Sequence, residues 1–285
     1  MERIGIIGGS GLYKLEGIKI KKEIKINTPF GKPSDKFILA EFNNREIVFL
    51  PRHGRFHKIG PTWINYRANI FGMKRLGVGW IISVSACGSL KKELKPLDFV
   101  IPLQFIDRTN QARKYTFFDK EIVVHIGFSR PICQNLARKI EEAAKKTDVN
   151  IHWGGTYINM EGPQFSTLAE SNLYRSWGAD IIGMTNLPEA RLAKEAEICY
   201  ATLAAVTDYD CWHSSCESVT AQMVIDNLLK NVENAKKILK EVIPLIEKER
   251  QCGCKNVLKD AIVTPKKAIS FWKKNKLKPI LKKYL

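Results

Sequence analysis

Apolar runs alternate with helical patterns over residues 154–213, and three of the runs end at small, polar or acidic residues. The runs at 156–160, 180–183 and 204–206 have the composition of buried strands, and helical patterns at 167–177 and 189–198 lie between them. Strand–helix–strand alternation predicts a parallel sheet. Ligands of open α/β sheets bind at the carboxyl ends of the strands. We therefore expect the three polar endings to converge on one crevice.

The same patterns continue toward both ends of the chain. Further strands are predicted at residues 3–7, 46–50, 80–84, 99–106 and 122–128, and further helices at 65–76, 131–145 and 219–250. Within the last helix, Pro244 predicts a kink or break. Residues 264–285 form an amphipathic segment that could bind a membrane, RNA or a partner, or pack on its own protein. The simplest division is an α/β domain over residues 1–250 and a C-terminal extension over 251–285.

Composition and charge narrow the class of protein. With 285 residues and 45% hydrophobic content, the chain can bury a large core. Apolar runs stay shorter than the roughly 18–20 residues of a membrane helix, and no signal-peptide pattern is visible, so we expect a cytoplasmic protein. The net charge is +17, and ten lysines against Asp260 place +9 of it in residues 255–285. A basic tail on an ordinary domain is weak evidence for nucleic-acid binding, and its role stays open.

The seven cysteines do not indicate a metal site or a secreted disulfide scaffold. Cys199 is expected to pack in the core, and Cys87 is expected to be a buried thiol rather than a nucleophile. The sequence Cys252-Gly253-Cys254 lacks the paired spacing of a zinc site, and the five histidines form neither an HxH nor an HExxH pattern. We therefore predict no metal.

Small, hydroxyl and basic residues follow several predicted strands. Residues 8–11, Gly-Gly-Ser-Gly, fit neither a dinucleotide fingerprint nor a P-loop and could form no more than a tight turn. Arg52 could bind an anion through its guanidinium fork or pair with a surface carboxylate. Together the strand endings predict a binding site for a free oxyanion such as phosphate, formed by Ser10, Arg52, His53, Ser85, Ala86 and Thr185.

A second group of residues suits a flat ring attached to a sugar. Phe165 and Met184 can sandwich a heterocycle and a ribose, while Ser166, Asp208 and Asp210 can form hydrogen bonds with ring atoms. An anion, a sugar and a heterocycle in line indicate phosphorolysis of a nucleoside. Rival interpretations are a metal-dependent glycosyltransferase that uses the two aspartates, a nucleosidase that uses water, and a binding protein that acts through its lysine-rich tail.

The chain resembles the trimeric nucleoside phosphorylases over about residues 4–240. The resemblance rests on the segments IGIIGGSGLY, PRHGR, NYRANI, SVSACGSL, DFVIPLQFIDRT, EGPQFST-AES, WGADIIGMTN-PEA-LAKEAEICYAT and VTDYDCW. Within that family it is most similar to members that act on 5′-methylthioadenosine. The resemblance implies a single-domain α/β fold, with a twisted mixed sheet and helices on both faces. It also implies a homotrimer or dimer of trimers, and inorganic phosphate as co-substrate without any cofactor.

Position by position, the family's phosphate site matches the six residues given above. Met184 would lie under the ribose and Phe165 near the base. The resemblance assigns Asp208 as the general acid at purine N7, and His53 also to catalysis. It adds substrate contacts at Tyr209 and Asp210, selectivity positions at Ser166 and Ala221, and His125 as a residue contributed across the trimer interface.

Two of these positions favour an adenine nucleoside. Relatives for 6-oxopurines resemble this chain but have asparagine at the position of Asp208 and glutamate at that of Ser166. We expect phosphorolysis of S-methyl-5′-thioadenosine, and the alternative is a purine nucleoside phosphorylase of broader or 6-oxopurine preference. Gln164 and Asn186 depart from the family pattern and weaken the choice of nucleoside. Cys252-x-Cys254 resembles a motif of some heat-stable relatives, where it belongs to disulfide chemistry.

Overall fold

A computed structural model describes residues 2–9, 11–110, 112–213 and 221–285, without the side chains of residues 221, 223 and 224. In this part of the chain, eleven strands form one mixed sheet. The strands are β1 (Arg3–Gly8), β2 (Lys19–Ile24), β3 (Phe37–Phe42), β4 (Arg45–Pro51), β5 (Val78–Ser89), β6 (Phe99–Ile101), β7 (Gln104–Arg108), β8 (Ile151–Trp153), β9 (Thr156–Met160), β10 (Ile181–Gly183) and β11 (Cys199–Tyr209).

Seven α-helices flank the sheet in the described ranges. They are α1 (Tyr66–Arg75), α2 (Gln134–Ala144), α3 (Leu168–Ser176), α4 (Asn186–Glu195), α5 (Ala221–Leu245), α6 (Phe271–Lys276) and α7 (Lys278–Leu281). Helix α1 packs on α4, while α2 and α5 pack on each other and on β11. The predicted α/β fold with a mixed sheet and flanking helices is confirmed. Helix α5 ends one residue after Pro244, which agrees with the predicted break.

The long strand β5 divides the sheet into two parts. On one side, β5 pairs in parallel with β1 up to Ser83, and from Gly88 it pairs with β10 in antiparallel fashion. On its other side, β5 pairs with β11 along residues 80–89. The described ladders on the first side therefore leave a gap beside residues 84–87. Strands β1 and β4 end together at Gly8 and Pro51, and β10 ends at Gly183, so their following residues lie around this gap.

Three predictions about elements were wrong in detail. The run at 99–106 forms two strands, because Pro102 has no N–H to donate to a ladder and β6 ends just before it. The run at 122–128 is not a strand and forms only an isolated bridge between Val124 and Ile262. The apolar run at 204–206 does not end the last strand, because β11 continues through Tyr209 and places Asp208 within the sheet.

The C-terminal segment packs on its own protein. Leu258, Ile269, Leu277, Ile280 and Leu281 are buried in the main core, and α7 packs on α1. Phe271 and Trp272, by contrast, remain 70% and 81% exposed. The packing alternative for the tail is thus the one the structure shows. No helix among the described residues is both long and apolar enough to cross a bilayer.

Four cysteines from three separate parts of the chain come together beneath this segment. Cys133 precedes α2, Cys199 begins β11, and Cys252 and Cys254 lie at a short 3₁₀ turn over residues 253–256. All four sulfur atoms lie within 4.8 Å of one another. Cys199 is fully buried, as expected, but it packs against other thiols rather than only against apolar side chains.

Candidate active site

Arg52 fills the gap in the sheet with its guanidinium group. Its Nη1 donates to the carbonyl oxygen of Val84 at 3.0 Å, and its Nη2 donates to Ser83 Oγ at 2.6 Å. Its Nε and Nη2 also form a bidentate ion pair with Glu189, at 2.8 and 3.0 Å. The fork predicted for phosphate is therefore occupied by a buried carboxylate. Nη1 carries two N–H groups, and only one of them donates to Val84. The second is not used in these contacts.

Glu189 stabilises this arrangement from helix α4. Its side chain is completely buried and also accepts hydrogen bonds from Ser83 Oγ and the hydroxyl of Tyr200, at 2.8 and 3.0 Å. Burial alone would lower the pKa of Arg52, but the Glu189 carboxylate outweighs it and raises that pKa. From the sequence, Glu189 is predicted only as the first residue of a helical pattern. Its position within the segment resembling the phosphorylases was the one available sign of a special role.

Asn186 positions the side chain of Ser85 through a hydrogen bond. Its Nδ2 donates to Ser85 Oγ at 3.2 Å, and its Oδ1 accepts from Thr202 at 2.6 Å. Asn186 Oδ1 also lies 2.8 Å from the Tyr200 hydroxyl, whose single proton it shares with Glu189. Asn186 is completely buried, and Thr185 immediately before it is 6% exposed. Asn186, which differs from the family pattern, thus contacts the buried side chains that support the predicted phosphate-binding residue Ser85.

His53 is held as a neutral imidazole. Its Nδ1 lies 2.8 Å from the carbonyl oxygen of Ile59, which can only accept, so Nδ1 carries the proton. Burial, followed by the neighbouring His57 and Arg52, lowers the pKa of His53 to about 3. Its ring stacks on that of His57 at 4.1 Å. The Nε2 atom is then an acceptor, suited to a protonated phosphate oxygen.

Arg113 ties the ends of β9 and β10 together. It donates to the carbonyl oxygens of Met184, Leu187 and Glu161, at 2.6, 2.8 and 2.6 Å, and its Nε pairs with the Glu161 carboxylate at 2.9 Å. Gly162 has φ of 73°, and a Cβ there would lie 2.4 Å from Met184 Sδ. This close approach places Met184 against the turn that leads to Phe165 and Ser166. No sequence pattern singled out Arg113.

Asp208 is a buried acid that keeps its proton to a higher pH than an ordinary aspartate does. A register shift between Val206 and Asp208 sets it opposite Gly88, where a Cβ would lie 3.0 Å from Asp208 Oδ1. Burial is the main cause that raises its pKa to about 6, and the charge of Asp210 adds to it. Thr207 opposes the shift by donating to Asp208 Oδ2 at 2.6 Å. This environment suits a group that donates a proton.

Asp210 and Ser166 lie together on the predicted purine side. Burial raises the pKa of Asp210, and the hydroxyls of Ser171 and Ser166 act in the opposite direction. Ser166 is buried, whereas Phe165 is 50% exposed and therefore accessible to a ligand. Tyr209 is partly buried, and its hydroxyl donates to the carbonyl oxygen of Lys92 at 3.2 Å.

Ala86 lies in β5 beside the gap, whereas described contacts do not bring the other remaining predicted residues to this crevice. His125 is exposed and its backbone N–H donates to Ala261, at the C-terminal segment. Ser10 and the side chain of Ala221 lie outside the described residues. The convergence of polar strand endings is otherwise present, since Arg52, Ser85, Asn186 and Asp208 all adjoin β5.

The sequence pattern of the phosphorylase superfamily matches residues 3–244. The chain belongs to the phosphorylase superfamily. It is 54% identical over 281 residues to the S-methyl-5′-thioadenosine phosphorylase of Koribacter versatilis, covering 99% of this chain and 96% of that protein. It is 52% identical to the one of Geobacter sulfurreducens, covering 99% of both.

Solved structures agree with this family assignment. A methylthioadenosine phosphorylase from an antarctic soil metagenomic library superimposes with a TM-score of 0.94 at 47% identity, covering 98% of this chain and 99% of that one. A methylthioadenosine phosphorylase from Schistosoma mansoni in complex with adenine superimposes with a TM-score of 0.85 at 36% identity, covering 91% and 96%. The resemblance stated from the sequence motifs is confirmed.

Proposed function

We propose that this phosphorylase cleaves the glycosidic bond of S-methyl-5′-thioadenosine with inorganic phosphate, giving adenine and 5-methylthioribose 1-phosphate. The observation that carries the proposal is Asp208, a buried carboxyl with a raised pKa beside Asp210 and Ser166. The relatives of about half identity over the full chain support the same substrate. No cofactor is needed beyond phosphate as co-substrate.

The proposed reaction forms one bond, breaks one bond and transfers one proton. A phosphate oxygen forms a bond to the anomeric carbon of the ribose as the bond from that carbon to purine N9 breaks. The electron pair enters the purine, and the Asp208 carboxyl gives its proton to N7. The resulting carboxylate can accept a hydrogen bond from the 6-amino group. The remaining N–H of Arg52 Nη1, together with Ser85 and Thr185, holds the phosphate, and the Nε2 of His53 accepts from its protonated oxygen.

We also propose a homotrimer in which His125 completes the neighbouring subunit's site. His125 is exposed at the surface, where a neighbouring subunit could contact it. Large apolar side chains that follow His53 in the sequence are exposed as well, including Phe56 at 82% and Trp63 at 83%. Exposed aromatic groups of this size commonly mark protein interfaces.

The proposed function predicts a specific order of initial rates. Release of the free purine base should depend on phosphate, persist in EDTA, and be faster for S-methyl-5′-thioadenosine than for adenosine or inosine. Rates for the three nucleosides, with and without phosphate, measure this directly. Fastest turnover of inosine would support the 6-oxopurine alternative instead, and turnover without phosphate would support a nucleosidase.

The raised pKa of Asp208 predicts a pH dependence. The free enzyme needs Asp208 protonated, and this form is lost as the pH rises through about 6. We therefore expect kcat/KM for the nucleoside to fall above that pH, because this parameter reports ionisations of the free enzyme. The profile should be measured at saturating phosphate, for the wild type and for Asp208→Asn. If kcat/KM of the variant falls over the same pH range, the ionisation belongs to phosphate or to another group. That result would contradict the assignment of this pKa to Asp208.

A further inference from the structure

We propose that Cys133, Cys199, Cys252 and Cys254 bind one Zn²⁺ ion in a structural site. Tetrahedral zinc with four thiolate ligands has Zn–S distances of about 2.3 Å, which places the sulfur atoms about 3.8 Å apart. In this chain Cys252 Sγ lies 3.7 Å from Cys133 Sγ and 3.2 Å from Cys199 Sγ, and the full set lies within 4.8 Å. Four sulfurs are thus already grouped at the spacing that the ion requires.

The arrangement fits a metal better than two disulfides. A disulfide draws two sulfurs to about 2.05 Å and separates them from other pairs. Here one sulfur, that of Cys252, approaches two different partners from distant parts of the chain. Disulfides are also rare in reducing compartments, whereas clustered cysteines there commonly bind metal. No disulfide joins any two of these four cysteines in the structure.

Burial and charge around the cluster favour a closed structural site. Cys199 and Cys133 are 0% and 5% exposed, and the other two are partly buried. Binding Zn²⁺ releases the four thiol protons and leaves a complex of net charge −2. Two cations, Lys194 and Arg250, interact electrostatically with these cysteines and can offset that charge.

The site would fasten the C-terminal segment to the sheet. Cys133 and Cys199 belong to the α/β core, where the backbone N–H of Cys133 donates to Tyr200 in β11 at 2.9 Å. Cys252 and Cys254 precede the segment that buries Leu258 and Leu277. Cys199 begins β11 and Asp208 lies near the other end of that strand, so the ion would be remote from the proposed general acid. No step of the proposed reaction involves the ion.

Metal analysis of the full chain tests the proposal. After purification under reducing conditions without added metal, we expect about one zinc per chain, released by about four equivalents of an organomercurial. Reconstitution of the stripped, reduced protein with Co²⁺ should give thiolate-to-cobalt charge transfer and intense tetrahedral d–d bands. Zinc removal should lower the melting temperature and speed proteolysis of the C-terminal segment.

Variants provide the matched comparison. Cys252→Ser and Cys254→Ser should weaken zinc affinity by at least about 100-fold, since even changes behind metal ligands reduce affinity 10–100-fold. Cys211→Ser removes a thiol outside the cluster and should retain the zinc. Iron in place of zinc, disulfides between these cysteines in the reduced preparation, or seven free thiols that bind neither Zn²⁺ nor Co²⁺ would each overturn the proposal.

Discussion

Asp208→Asn is expected to lower kcat/KM for S-methyl-5′-thioadenosine by roughly 10²–10⁴, the usual contribution of a general acid. Asparagine keeps the size of the side chain and one acceptor oxygen, but it has no proton to give to N7. Its amide can instead donate a hydrogen bond to a 6-oxo group. The ratio of inosine to methylthioadenosine turnover should therefore rise.

Steady-state kinetics with both nucleosides measure this shift. The matched control is Asp180→Asn. Asp180 is an acid just before β10 that forms an ion pair with Lys91 and accepts from the backbone N–H of Thr156. It has no proposed contact with the purine. That control should leave the substrate ratio as it is. Equal loss for both nucleosides in Asp208→Asn would mean that Asp208 has a structural role only.

Glu189→Ala is expected to destabilise the protein by about 3–5 kcal/mol, the usual effect of leaving one member of a buried ion pair without its partner. The guanidinium of Arg52 is 2% exposed and could not recover its hydration. Glu189→Gln keeps the shape and one acceptor oxygen, so its loss should be smaller. Urea unfolding at one fixed protein concentration gives the free energies of unfolding.

An exposed ion pair provides the control for charge removal. Glu16 pairs with Lys240 at the surface, with a side chain that is 88% exposed, and Glu16→Ala should leave the stability unchanged within error. If Glu189→Ala behaved like Glu16→Ala, the Arg52–Glu189 pair would not stabilise the gap in the sheet. Such a result would also remove the reason to regard Glu189 as a positioning residue for the phosphate side.

Local patterns predicted the elements well because each depends on a short stretch of chain. The strand predicted at 156–160 has these bounds in the structure, and α3 lies within its predicted range. The predicted meeting of strand endings followed from a general property of parallel sheets. Asp208 and Asp210 were predicted as purine-side acids because they follow an apolar run and match a family segment; that role stays a prediction.

Features formed by distant residues were not predictable in this way. The gap beside β5 depends on which strands pair with it, and the partner of Arg52 lies 137 positions away in the sequence. Arg113 stands in a stretch without periodic pattern, so its contacts with Met184 and Glu161 had no local sign. The four-cysteine cluster was missed because the spacing of Cys252 and Cys254 was judged without the two cysteines that the fold brings to them.

The position of Arg52 makes the two halves of the site differ in how freely they can be altered. Its side chain supplies donors to Val84 and Ile7 where a neighbouring strand would otherwise supply them. The proposed phosphate half is therefore part of the sheet that supports the fold, and substitutions there are expected to destabilise the protein. On the proposed purine half, Phe165 lies after a turn and is half exposed. Attempts to redirect this enzyme to other nucleosides should begin at Phe165 and its turn, which lie outside the sheet.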